Sequence, residues 1–183
     1  MKLRGAAAVF CMAMMGAAWA QQPAAPPEPE GYRLDNYHTP TPATLKGATV
    51  IGVDRAYELW SRKEAVFIDA LTRPPRPADL PREVIWRPSP RHDIPGSVWL
   101  PGTGLGELSP EMQAYFEKGL ARATGGGKEK PVVFYCRTDC WASWNAAKRA
   151  LTLGYRNVLW YPGGADAWEK AGHPLEERAP EPM

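Results

Sequence analysis

Cysteine is scarce in this chain of 183 residues: there are three, and Cys11 lies in an N-terminal stretch that reads as a removable leader. Only Cys136 and Cys140 would remain, which excludes a fold built on a disulfide framework. Histidine is equally sparse. His38, His92 and His173 stand far apart beside turn residues, without metal-ligand spacing, so no metal site and no built-in cofactor are expected. Net charge is also lacking: losing Lys2 and Arg4 with the leader takes the 22 basic residues to 20, equal to the 20 acidic ones. Neutrality without a basic stripe argues against nucleic acid as a partner. No later apolar run approaches membrane-spanning length, so no membrane anchor is expected. Internal repeats are absent. The run "ATGGGKEKP" (123–131) lacks Walker spacing and precedes a strand, so it reads as a flexible connection.

What is present begins with the leader. Residues 1–20, "MKLRGAAAVFCMAMMGAAWA", carry Lys2 and Arg4, a short apolar core and the small-x-small end Ala18-Trp19-Ala20, the pattern of a secretory signal peptide. Phe10 is too bulky to precede a lipid-modified cysteine at Cys11. A soluble periplasmic chain starting near Gln21 is therefore expected. Residues 21–47 read as a proline-rich leader followed by an extended arm that lies on the domain. Residues 48–177 read as one domain, and 178–183 as a flexible tail.

Within the domain, short apolar runs alternate with helical patterns. Strands are predicted at 49–53, 65–70, 97–100, 131–135 and 157–161. The helices between them include one around Ala56, Leu59 and Trp60, one at 109–123 capped by Ser109 with Pro110 at its first position, one through Ala146, Ala147 and Leu151, and one at 165–172. Such alternation is the pattern of an α/β domain with a central, mostly parallel sheet flanked by helices. Residues 71–91 interrupt it with six prolines and five arginines. Proline at that density cannot sit inside a sheet, so a long ordered loop is predicted, with a brief extended piece at 83–86.

The stretch "VVFYCRTDCWASWNAAKRAL" (132–151) carries the chemistry. Cys136 follows a buried strand at the place where helix N-termini converge in parallel sheets, and backbone N–H groups aimed at its sulfur would hold an exposed thiolate. Two readings stay open: a working nucleophile with Cys140 as resolving thiol, or a static disulfide. A bridge over so short a loop contributes little entropic stabilisation, which favours a chemical purpose. Asp139 reads either as the N-cap of the next helix or as a base for Cys140. Trp141 reads as a pocket wall or as packing, and Trp144 as packing.

Four pieces in order resemble the rhodanese superfamily: "FIDA" (67–70), "HDIPGSVWLP" (92–101) with Asp93 inserted in a His-Ile-Pro-Gly signature, "FYC" (134–136) and "YPGGADAWEKAGHPL" (161–175). The resemblance implies a rhodanese-like fold and places Cys136 on the cysteine that carries a persulfide between a sulfur donor and an acceptor. It implies a structural hydrogen bond for His92. "CRTDCWASWNAAKRA" with "RPPRPADLP" is similar, more narrowly, to exported CxxxCW-motif proteins associated with pyrroloquinoline quinone-dependent catabolism. A periplasmic quinoprotein dehydrogenase or its cytochrome is then an expected partner, alongside a small sulfur-containing substrate or thiol. The chain departs from the superfamily after Asp69, where Ala70 and Leu71 follow and the nearest arginine is Arg73. Arg137, Thr138, Asp139, Trp141 and Arg73 are the candidate substrate-binding residues. Asp139 disfavours a doubly negative donor such as thiosulfate.

Overall fold

The computed structural model describes residues 25–183; the leader read at 1–20 lies outside the described residues. Five parallel strands form the main sheet: β1 (Thr49–Val50), β2 (Val66–Asp69), β4 (Val98–Trp99), β5 (Val132–Tyr135) and β6 (Val158–Trp160), in the order β1-β6-β5-β2-β4. Four helices flank it: α1 (Val53–Ser61), α2 (Pro110–Thr124), α3 (Trp141–Thr152) and α4 (Gly164–Lys170). The expected α/β class is thus the observed one.

Strand alternation sorts the core into two layers. Ile68, Val132, Phe134, Val158 and Trp160 face α2 and α3, packing on Phe116, Leu120, Trp144 and Ala147. Phe67, Val133, Tyr135 and Leu159 face the other way, onto Leu59 of α1 and Trp168 of α4. Each fully buried side chain of this size contributes roughly 1.5–3 kcal/mol relative to exposure. Trp99, Trp141, Trp144, Trp160 and Trp168 are buried and Trp60 packs against the core, whereas Trp86 is half-buried in the long loop. Trp60, Trp99, Trp144 and Trp168 donate to the carbonyls of Pro95, Leu71, Thr44 and Pro174.

Ser109 caps α2 as its position suggested, its side chain accepting from Met112 N. Two elements were not foreseen. β3 (Arg91–Asp93) and β7 (Glu176–Arg178) pair antiparallel in a small separate sheet, so residues near 178 are ordered instead of forming a flexible tail. The tail continues across the domain: Glu181 N–H donates to Trp99 O, and its carbonyl accepts from Tyr115 Oη. The extended piece predicted at 83–86 is not a strand. A turn from Pro81 to Val84 takes its place, closed by a 3.0 Å bond, and leaves Val84 and Ile85 exposed.

Residues 29–45 run along α3. Lys148 Nζ donates to the carbonyls of Pro29 and Glu30, Asn145 exchanges two bonds with the Arg33 backbone, and Leu45 enters the core. The buried Arg149 guanidinium lies over the Tyr32 ring and donates to the carbonyls of Thr103, Leu105 and Gly106, tying that loop to α3. Burial pushes the Arg149 pKa down, which three carbonyl acceptors and an aromatic face offset.

Candidate functional site

The candidate site lies beyond the carboxyl ends of β5 and β2, where α3 and α4 begin. Cys136 follows β5 directly, and Cys140 occupies the N-cap of α3. The two are joined as a disulfide with their Cα atoms 6.4 Å apart. Both residues are buried, at 0 and 2% exposure, and pack against Ala142 and Leu71. The expectation of an exposed thiolate at Cys136 is therefore corrected for this state: the sulfur is oxidised and covered.

Two of the amides thought to ring the sulfur are committed elsewhere. Thr138 N–H donates to Asp166 Oδ2 at 3.1 Å, and Trp141 N–H donates to the Tyr37 carbonyl at 2.9 Å. The second bond flanks an antiparallel bridge between His38 and Cys140, so the N-terminal arm lies directly against the cysteine loop. Because Cys140 and not Cys136 caps α3, the positive end of that helix falls on Cys140.

The Cys136 carbonyl is held from two sides. Ala165 N–H donates to it at 3.0 Å, and Arg91 Nη2 at 3.4 Å. The close approach of α4 requires Gly164. At φ +57° a side chain is already disfavoured, and a Cβ there would fall 2.7 Å from Arg137 Cα and 2.8 Å from the Cys136 oxygen.

The candidate residues fare differently. Arg137 is brought to the site, largely exposed, with its Nε 3.3 Å from Asp166 Oδ1, an exposed pair of small energetic weight. Thr138 is fixed there too, its hydroxyl donating to Gly163 O at 2.9 Å. Asp139 is exposed in the left-handed region at φ 52° and is not the helix cap; that position belongs to Cys140. Trp141 is not a pocket wall. It is 3% exposed, packs edge-on against Trp144, and donates its indole N–H to Thr39 Oγ1.

Arg73 is not brought to the cysteines. It is exposed, and its charge acts on Tyr115 at α2. The arginine that does arrive is Arg91, whose Nε donates to Asp69 Oδ2 at 2.6 Å with the carboxylate fully buried. Burial raises the Asp69 pKa, and the Arg91 charge and the Leu71 N–H pull it back. Arg91 thus supplies, from β3, the cation absent after Asp69 in sequence. The only sequence signal for it was membership of the arginine-rich loop.

His92, expected to make a structural hydrogen bond, makes none among the described residues and is exposed beside the site. Its neighbour Asp93 points inward instead, with both carboxylate oxygens unpartnered and Arg178 Nε 4.0 Å away. Burial and the nearby Asp69 charge push the Asp93 pKa up to about 7.

Two cavities flank the loop. One of about 460 Å³ is lined by Leu71, Arg91, His92, Trp99, Arg137 and Asp166 among others. The other, about 290 Å³, is lined by His38, Arg137, Thr138, Asp139 and Asp166. Arg137 and Asp166 stand between them. The disulfide lines neither, so Leu71 or the arm must shift before a substrate reaches sulfur. No grouping of metal-binding side chains occurs among the described residues.

The family profile described as Rhodanese-like domain matches residues 53–171. No curated protein matches. Among solved structures, a complex of EanB with ergothioneine is similar at a TM-score of 0.52 and 21% identity, over 78% of this chain and 34% of that one. The thiosulfate sulfurtransferase from Pseudomonas aeruginosa gives 0.49 and 19%, over 73% and 21%. The 30 kDa polysulfide-sulfur transferase homodimer from Wolinella succinogenes gives 0.46 and 21%, over 73% and 81%. At such identities the likeness is one of fold, and the chain spans about a third or less of the first two proteins.

Proposed function

Because the chain belongs to the rhodanese-like domain family, we propose that it is a sulfur-carrying or thiol-disulfide protein in which Cys136 is the acceptor and Cys140 the resolving thiol. The observation that carries this reading is the bond between two cysteines on one short loop at the carboxyl end of β5. In the reduced protein, the Cys136 thiolate attacks the outer sulfur of a donor persulfide, the donor thiolate leaves, and Cys136 carries the persulfide. Cys140 thiolate then attacks Cys136 Sγ, hydrosulfide leaves with the electron pair, and the observed disulfide is the product. A small thiol must reduce that disulfide before the next turnover.

Arg91 holds the Cys136 carbonyl, and Arg137 is a largely exposed cation lining both cavities beside the loop. The leader at 1–20 supports a periplasmic setting, and the CxxxCW resemblance supports association with quinoprotein-dependent alcohol oxidation. The test is the intact mass of freshly exported protein before and after reductant. A gain of about 2 Da identifies a disulfide, and a loss of about 32 Da a carried sulfur. Cys136→Ala is expected to abolish both persulfide formation and disulfide cycling; retained transfer ends the reading.

The burial of both sulfurs favours a second reading, in which the bridge is permanent and the domain docks a periplasmic quinoprotein dehydrogenase, cytochrome or substrate-binding protein. Most of the tryptophans are in the core, which reduces the aromatic surface available for docking; the long loop still offers exposed Val84 and Ile85 beside the half-buried Trp86. A reduction potential below about −300 mV fits the permanent bridge, and a markedly higher one fits cycling.

A further inference from the structure

His38 and Cys140 face each other across the antiparallel bridge. The flanking Trp141 N–H to Tyr37 O bond makes this a non-hydrogen-bonded pair, the kind in which opposed side chains stand closest. In a regular antiparallel ladder such a pair sets both side chains on one side of the backbone, with Cβ atoms about 4.5–5.5 Å apart. The exposed imidazole enters the 290 Å³ cavity, where the other walls are Asp166 and the three residues between the cysteines, Arg137, Thr138 and Asp139.

The charged groups facing it are therefore Arg137, Asp139 and Asp166. Asp166 is engaged by the Arg137 guanidinium and the Thr138 N–H, whereas Asp139 makes no side-chain bond among the described residues. Cys140 caps a helix of 12 residues and its side chain makes no cap bond, so negative charge released on this sulfur meets the positive end of α3.

We propose that His38, supplied by the N-terminal arm, is the proton-transfer group of the cysteine pair and serves the Cys140 sulfur. This rests on the cycling reading above. A small-molecule thiolate attacks Cys136 Sγ; the Cys136–Cys140 bond breaks as the mixed disulfide forms, and the electron pair leaves on Cys140 Sγ. The His38 imidazolium gives its proton to that thiolate and regains one from water. A second thiolate attacks the small-molecule sulfur of the mixed disulfide and releases Cys136 thiolate. Two thiols are thereby oxidised to one disulfide, and the cysteine pair takes up the two electrons. In the opposite direction the neutral imidazole removes the Cys140 proton, and the thiolate so formed attacks Cys136 when it bears a persulfide or mixed disulfide.

The test uses the oxidised exported protein and follows its reduction by glutathione from pH 5.5 to 9, with rates divided by the glutathione thiolate fraction. Proton transfer by a positioned side chain is worth about 10²-fold or more. The corrected wild-type rate is expected to fall by at least about 10-fold between the acid and alkaline ends of that range. His38→Gln, which keeps the backbone bridge, is expected to give a flat corrected profile, about 10–100-fold slower at pH 6. Asp139→Asn is expected to change the corrected profile of the wild type and leave that of His38→Gln unaltered, a dependence that a merely structural His38 would not produce. A His38→Gln profile that superimposes on wild type overturns the proposal while leaving the cycling pair intact. A wild-type disulfide that glutathione fails to reduce at every pH overturns the cycling reading itself.

Discussion

Two neighbouring strands release the chain in opposite ways. β2 and β5 are paired from Val66 with Val132 to Asp69 with Tyr135, so their ends lie side by side. After β2 the chain makes a long, mostly exposed excursion before returning at Arg91. After β5 it turns within the span from Cys136 to Cys140, with both cysteines buried and the turn fastened by Arg91, by α4 and by the arm. The long loop holds most of the local arginine and proline, yet among its arginines Arg91 alone hydrogen-bonds to the cysteine loop. The cysteine pair sits in a turn whose constraints come from segments distant in sequence.

Removing the joint between the two regions should have the largest effect. Arg91→Gln leaves a buried Asp69 carboxylate without its partner, for which about 3–5 kcal/mol of destabilisation is expected in denaturant unfolding. Persulfide transfer should fall with it, whereas Arg73→Gln, at an exposed site, should alter stability by less than about 0.5 kcal/mol and leave transfer unchanged. Equal effects at the two positions would erase the distinction between anchor and excursion.

Gly164→Ala challenges the short loop from the α4 side. A positive φ and three close backbone atoms oppose the new methyl, and a loss of at least about 2 kcal/mol, with slowed disulfide formation, is expected in thermal unfolding and thiol-trapping assays.

A smaller effect should appear at the hinge of the long loop. The Asp93 pKa is raised to about 7 in the folded protein, above its unfolded value, so its contribution is complete below the unfolded pKa and declines as pH rises through 7. Melting temperature measured from pH 5 to 8 should fall for wild type, by an equivalent of on the order of 2 kcal/mol after allowance for solvent screening. In Asp93→Asn the slope should flatten. A wild-type curve with no slope would show that the buried carboxylate is compensated by a group other than Arg178.

Much of the scaffold was legible because local rules govern it. The apolar run 131–135 could only be a strand buried on both faces, and Ser109-Pro110 could only open a helix. The cysteine loop was legible as a place, since a strand followed by a helical pattern locates its turn. Its contents were less so. Arg73 is nearest Asp69 in sequence, but β3 folds back over the end of β2 and delivers Arg91; spacing along an irregular loop carries no information about which residue returns. Trp141 resembled a pocket wall because it follows the loop, yet Tyr37 and Thr39 cover it. The β3–β7 pairing escaped notice because three-residue strands such as β3 and β7, centred on His92 and Glu177, lack an apolar alternation to announce them.

By itself the sequence determined the class of fold and the position of the cysteine pair, because hydrophobic periodicity, caps and strand-end placement act over neighbouring residues. Tertiary structure alone decided that Arg91 holds the Cys136 carbonyl, that Asp93 is buried without a partner and that His38 stands opposite Cys140. Those contacts join residues with no pattern between them, brought together only when the arm, the long loop and α4 pack at the carboxyl end of the same sheet.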